Sequence, residues 1–144
     1  MFAGSSRMKV DSKGRLAIPK LFRDLLPEGS FISIGPENNL TIYPREEWER
    51  LRDVLPSPLS ATPEQRQLSR TMNALAIPCE FDQQGRVTLS QEQRRLSEIA
   101  PDSMVIVIGN QSVVEIWASE RWDSYFAGAS ANFTDNVNRV TQLS

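Results

Sequence analysis

Apolar and polar residues alternate most clearly at Leu16-Ala17-Ile18 and again at Val87-Thr88-Leu89. Period-two spacing over so few residues predicts short, half-buried strands. A preceding strand is predicted at Met8-Lys9-Val10 and at Pro78 to Phe81. Behind each alternation the period becomes helical. Leu21, Phe22, Leu25 and Leu26 follow Pro19, which suits a first helical position. In the later stretch Ser90 precedes "QEQRRLSEI", and Gln93 three residues on completes a capping-box pattern. Hairpins are predicted next, "SFISIG" turning through "PENN" into "LTIYP", and "MVIVIG" through "NQS" into "VVEIW". Closing helices follow at "REEWERLRDVL" and "SERWDSYF".

The same unit, β-loop-β-α-β-β-α, is therefore written twice. "DSKGRLAIP" (11–19) matches "DQQGRVTLS" (82–90) at an offset of 71, which also pairs Arg23 with Arg94. "SIGPENNLTIYPREEW" (33–48) matches "VIGNQSVVEIWASERW" (107–122) at an offset of 74. Residues 1–54 form the first predicted repeat and 77–126 the second. Residues 55–76 between them hold a Pro- and Ser-rich linker and a connecting helix. Thr62 and Gln65 open that helix with a second capping-box pattern, and Leu68, Met72 and Leu75 share one face. The tail, 127–144, is small and polar and is predicted to fray or to be ordered by a partner. Neither unit has enough large apolar residues for its own core, so the two are expected to interlock as one pseudo-twofold domain.

Composition narrows the chemistry. The 144 residues include no histidine, which removes the commonest general acid/base and the commonest metal ligand. No catalytic residue, metal site or cofactor is therefore expected. The single cysteine, Cys79, cannot form an internal disulfide and reads as a small buried hydrophobe. No apolar run approaches a membrane span, and "MFAGSSRMKV" lacks the apolar stretch of a secretory signal, so a cytoplasmic protein without membrane contact is expected. Trp48, Trp117 and Trp122 read as core or subunit-interface anchors.

The net charge of −2 hides a segregated distribution. Residues 1–23 hold six cations against one acid, while residues 24–64 hold three against eight. Residues 65–95 hold five cations against three acids, and residues 96–144 two against six. A basic face can bind phosphate on an acidic protein, because salt screens distant charge beyond about 8 Å.

The repeated D-x-x-G-R stretch lies in the basic segments. Asp11, Gly14, Asp82 and Gly85 suit loop-shaping, the aspartates accepting backbone N–H groups and the glycines supplying positive φ. Arg15 and Arg86 admit two readings. They pair with Asp11 and Asp82 inside their own loops, or they present a planar fork of donors to phosphate or a guanine edge. Lys13 beside Arg15 favours the second reading, with Arg7 and Lys9 adding charge upstream. The second loop carries Gln83 and Gln84 instead, so Gln84 joins the candidate DNA contacts with more amide character and less charge.

Together "VDSKGRLAIP", "FDQQGRVTL", "MFAG", "IYPREEW" and "EIWASERW" resemble the MraZ family of bacterial transcriptional regulators, from Met1 to about Tyr125. Ser90 departs from the proline usual after the second motif, although it can still cap its helix. The resemblance implies an α+β fold, a tandem swapped-hairpin β-barrel similar to AbrB, SpoVT and MazE. It implies a repressor of the division and cell-wall gene cluster, binding short direct repeats in double-stranded DNA upstream of its own gene. Lys13, Arg15 and Arg86 would carry that binding from a ring-shaped homo-oligomer, an octamer, at the nucleoid. A competing expectation is a protein-interaction regulator, for instance of the neighbouring RNA methyltransferase. An enzyme on a related barrel is disfavoured by the missing histidine.

Overall fold

The computed structural model describes residues 1–142. The first repeat contains β1 (Ser5–Lys9), β2 (Arg15–Ala17), α1 (Lys20–Arg23), β3 (Phe31–Ile34), β4 (Leu40–Tyr43) and α2 (Arg45–Val54). A connecting helix, α3 (Pro63–Ala74), leads to the second repeat. This contains β5 (Ile77–Pro78), β6 (Arg86–Thr88), α4 (Gln91–Leu96), β7 (Met104–Asn110), β8 (Val113–Ala118) and α5 (Ser119–Ala131), followed by α6 (Phe133–Gln142).

The two repeats exchange strands. One antiparallel sheet runs β1-β7-β8-β4-β3-β5, so β1 lies on the second repeat's hairpin and β5 on the first's. A second sheet is the β2-β6 pair alone. In that pair Leu16 stands opposite Val87, its own counterpart at offset 71. In the large sheet Thr41 stands opposite Glu115, its counterpart at offset 74. Both pairs lie on the pseudo-twofold axis. The interlocking expected from the small apolar content is realised as strand exchange.

The core fills the space between the two sheets. Leu16, Ile18, Val87 and Leu89 face inward from the β2-β6 side, against Ile32, Leu40, Ile42, Val105, Val107, Val114 and Ile116 from the large sheet. Burial of such side chains stabilises by about 1.5–3 kcal/mol each, and neither half could assemble this set alone. Two polar contacts fix the helices. Ser33 Oγ donates to the Met72 carbonyl at 2.7 Å, holding α3 on β3. Buried Gln93 donates from Nε2 to the carbonyls of Ile32 (3.1 Å) and Leu75 (2.8 Å).

Both capping boxes form, at Thr62/Gln65 and at Ser90/Gln93. Several expectations are corrected. The strand at Pro78 to Phe81 shrinks to Ile77–Pro78, since Pro78 has no N–H for the ladder. Pro19 is the N-cap, and α1 is a single turn. Leu21 and Leu25 consequently stay 67% and 48% exposed, while Phe22 is buried. On α3 only Met72 is buried, and Leu68 is 52% exposed. The tail, expected to fray or to be ordered by a partner, is helical through Gln142 within the single chain. Its alanines favour helix, and Phe133, Val137 and Val140 recur at helical spacing, with Asp135 and Arg139 complementing the dipole at either end. Leu143 and Ser144, the end of that tail, lie outside the described residues.

Candidate nucleic-acid interface

Each D-x-x-G-R loop is closed by its aspartate. Asp11 Oδ1 accepts the backbone N–H groups of Lys13 (2.9 Å) and Arg15 (2.8 Å). Its Oδ2 accepts Arg15 Nε at 2.7 Å. Gly14 N–H donates to the Asp11 carbonyl at 3.1 Å, and Asp11 N–H to the Arg15 carbonyl at 3.0 Å. The second loop repeats the pattern. Asp82 Oδ1 accepts the N–H groups of Gln84 (2.8 Å) and Arg86 (2.9 Å), and Oδ2 accepts Arg86 Nε at 2.8 Å. Gly14 and Gly85 sit at φ +80° and +74°, where a Cβ costs roughly 1–2 kcal/mol.

These bonds set the electrostatics. The Arg15 backbone N–H, followed by its guanidinium and the Lys13 N–H, holds Asp11 down at about 2 against partial desolvation. Asp82 is lowered likewise, first by the Arg86 backbone N–H. Both aspartates are thus ionised at neutral pH. The turns do use their arginines: Arg15 and Arg86 each commit Nε to the loop, as the intra-loop reading expected, and both side chains stay partly exposed.

The β2-β6 pair joins the loops into one surface. Leu89 N–H donates to the Gly14 carbonyl at 2.8 Å, and Ile18 N–H to the Gly85 carbonyl at 3.1 Å. Arg86 Nη1 lies 3.8 Å from Asp11 Oδ2, linking the second loop to the first. Lys13 and Gln84 occupy equivalent, exposed positions on this surface. Lys9 is exposed at the end of β1, opposite Met104. Arg7 is not brought to the loops in the same way. Its guanidinium bonds to Ser119 and, at 2.6 Å, to Asp123 on α5.

Two further cations arrive that carried no predicted role. Arg23 lies against Gly85 and Arg94 against Gly14, each reaching the other repeat's loop. The shared offset was the available signal, but nothing local to either residue indicated the crossing. Elsewhere the chemistry is sparse. Burial pushes the Cys79 thiol up to about 12, so it stays protonated, and it packs against the core. Among the described residues no cluster of three acidic, histidine or cysteine side chains could hold a metal, and no helix is long and apolar enough to cross a membrane.

Two strand-exchanged repeats sharing one paired-loop, cation-edged surface define a fused two-copy module. The chain matches the family described as "MraZ protein, putative antitoxin-like" twice, over residues 1–71 and 72–144, and it belongs to that family. It is 34% identical over 143 residues to the transcriptional regulator MraZ of Desulforamulus reducens, covering 99% of each chain. It is 35% identical over 134 residues to the Mycolicibacterium smegmatis protein of that name, covering 93% of this chain and 92% of the other. The Lachnoclostridium phytofermentans protein of that name is 35% identical over 140 residues, covering 97% and 92%.

Proposed function

We propose that this protein is a DNA-binding transcriptional regulator, and not an enzyme, whose paired D-x-x-G-R loops contact duplex DNA. The observation that carries the reading is the joining of both loops by β2 and β6 into one surface that carries partly exposed Arg15 and Arg86 and exposed Lys13 and Gln84. Arginine forks suit guanine edges and phosphates, and hydrogen-bonded loops hold them without further ordering cost. The names of the family relatives agree. In this reading Lys13, Arg15, Arg86 and Gln84 make the contacts, with Lys9 at their margin. Arg7 is left to bind α5 and drops from the contact set.

The protein acts as a repressor of the division and cell-wall cluster, at direct repeats upstream of its own gene and in the cytoplasm at the nucleoid. It works as a ring of copies, each built as a swapped-hairpin barrel of the AbrB kind. The exchange of β1 and β5 supports that likeness. Footprinting on the DNA upstream of the gene, wild type beside Arg15→Ala, tests the reading. Protection of spaced repeats by wild type and its loss in the variant are expected; equal protection by both removes the loops from the interface. Binding should weaken steeply with salt, as phosphate contacts release counterions.

A protein partner, such as the neighbouring methyltransferase, is the second reading. The exposed Phe133, Val137 and Val140 face of α6 favours it. A partner still retained by Arg15→Ala in a pull-down would dock away from the loops.

A further inference from the structure

The D-x-x-G-R motif is electrically neutral as folded. Arg15 and Arg86 are matched by Asp11 and Asp82, each pair in contact through Nε. The charge that draws this surface to a polyanion must therefore come from other side chains. Lys13 and Lys9 supply part of it, and like them Arg23 and Arg94 make no ion pair among the described residues. These two arginines stand out because each lies against the glycine of the opposite loop.

Their placement is unusual. A Cβ at Gly85 would overlap the Arg23 guanidinium, first at Nη1, then Cζ at 2.6 Å and Nε at 2.9 Å. A Cβ at Gly14 would meet Arg94 Nε at 2.8 Å and Cζ at 3.1 Å. Each guanidinium thus lies on the bare Cα of the opposite loop, which a larger residue would prevent. Arg94 Nε donates to the Leu89 carbonyl at 3.3 Å. Arg23 Nε is sealed from solvent with no acceptor, an arrangement that costs free energy and so is not explained by stability. Arg23 Nη1 lies nearest the place of a Gly85 Cβ, and among the described residues none of the Nη groups of Arg23 or Arg94 has a hydrogen-bond partner, so the Nη groups are the remaining donors of both side chains.

We propose that Arg23 and Arg94 each bind a backbone phosphate of a DNA duplex, from beside the loop of the opposite repeat. The inference rests on the DNA-binding reading above and assigns its charge-bearing contacts. Arg15 and Arg86 then present base-edge donors, while Arg23 and Arg94 set the module's register on the duplex. The crossing makes both repeats necessary at both contacts. Phosphate contacts of this kind position a protein without carrying sequence information.

The test is a salt series of fluorescence-anisotropy titrations with a labelled duplex spanning the DNA upstream of the gene. Wild type, Arg23→Gln, Arg94→Gln and Arg23→Lys are compared, with melting temperatures alongside. Each Gln variant should lower the slope of log K against log salt by about 0.9 and weaken binding to all duplexes alike, whereas Arg23→Lys keeps the slope. Weaker binding with an unchanged slope would make the arginines struts and overturn the proposal, as would unchanged affinity. Should the Gln variants unfold, site-resolved phenylglyoxal modification of the wild type decides. Arg23 and Arg94 must be reactive in the free protein and protected by the duplex; failure of either condition overturns it. Wild type that binds and loses binding on Arg15→Ala, beside unaltered Gln variants, sinks this assignment alone. Wild type that does not bind the duplex sinks the parent reading too.

Discussion

The first and second loops share a hydrogen-bond scaffold and differ in what they display. Asp11 and Asp82 close the same turns, Gly14 and Gly85 take the same φ, and Arg15 and Arg86 fold back alike. The displayed residues diverge: Ser12-Lys13 in one loop, Gln83-Gln84 in the other. Matching positions are thus explained by the turn, and the unmatched ones make the two halves unequal toward a ligand. A second inequality lies in the close approach. At Gly14 a Cβ would meet the Leu89 carbonyl at 2.9 Å as well as Arg94, whereas at Gly85 the three nearest atoms all belong to Arg23.

The largest expected effect comes from removing the shared arginine on one side only. Losing a bidentate arginine contact costs about 1–3 kcal/mol, roughly tenfold to hundredfold in affinity. Arg15→Ala, beside Lys13, should lie at the upper end and Arg86→Ala at the lower, as read by gel-shift titration. Equal losses would erase the inequality.

Glycine substitution sharpens it further. Both alanines are strained by roughly 1–2 kcal/mol at positive φ. Gly14→Ala also meets a backbone carbonyl that cannot rotate away, so it should lower the melting temperature more than Gly85→Ala. The latter displaces a side chain, Arg23, and should weaken DNA binding more than its stability loss suggests.

Exchanging the displayed residues is gentler. Lys13→Gln should reduce the salt slope by about 0.9 and Gln84→Lys restore it, with melting unchanged. A slope that stays constant through both would mean that Lys13 touches no phosphate.

The smallest effect concerns acid. Folding lowers both loop aspartates, so their stabilising contribution is complete above the unfolded carboxylate range near pH 4 and declines as pH falls. For Asp11 it is lost as pH passes through about 2. Arg86 gives Asp11 a second cation at 3.8 Å. Carboxyl chemical shifts followed by NMR should therefore show Asp82 protonating first; the reverse order would discount the cross-loop contact.

A different contrast separates the ends of the repeats. After α2 the chain turns back, and Met72 of α3 is buried under the Ser33 contact. After α5 it continues outward, and Phe133, Val137 and Val140 of α6 remain exposed. Amphipathic spacing makes both helices legible in principle, but the polar residues of 127–144 suggested fraying. The helical period there was real and lacked only a partner within the chain.

Much of the loop architecture was legible because it is local. An aspartate bonding two and four residues ahead, a glycine at positive φ and a serine or threonine capping its own helix are properties of a few consecutive residues. Their recurrence at a fixed offset also announced two equivalent units. The sequence by itself therefore determined the repeat, the turns, the capped helices and the residues displayed at the loop tips. Only the tertiary structure decided that β1 and β5 change places, that Leu16 meets Val87 on the axis, and that Arg23 and Arg94 cross to the opposite loops. Those contacts join residues far apart in the chain, from 45 positions between Ile32 and Ile77 to 103 between Ser5 and Ile108, and no local period encodes which of two near-identical partners a strand or side chain will choose. Burial of one shared core makes that choice.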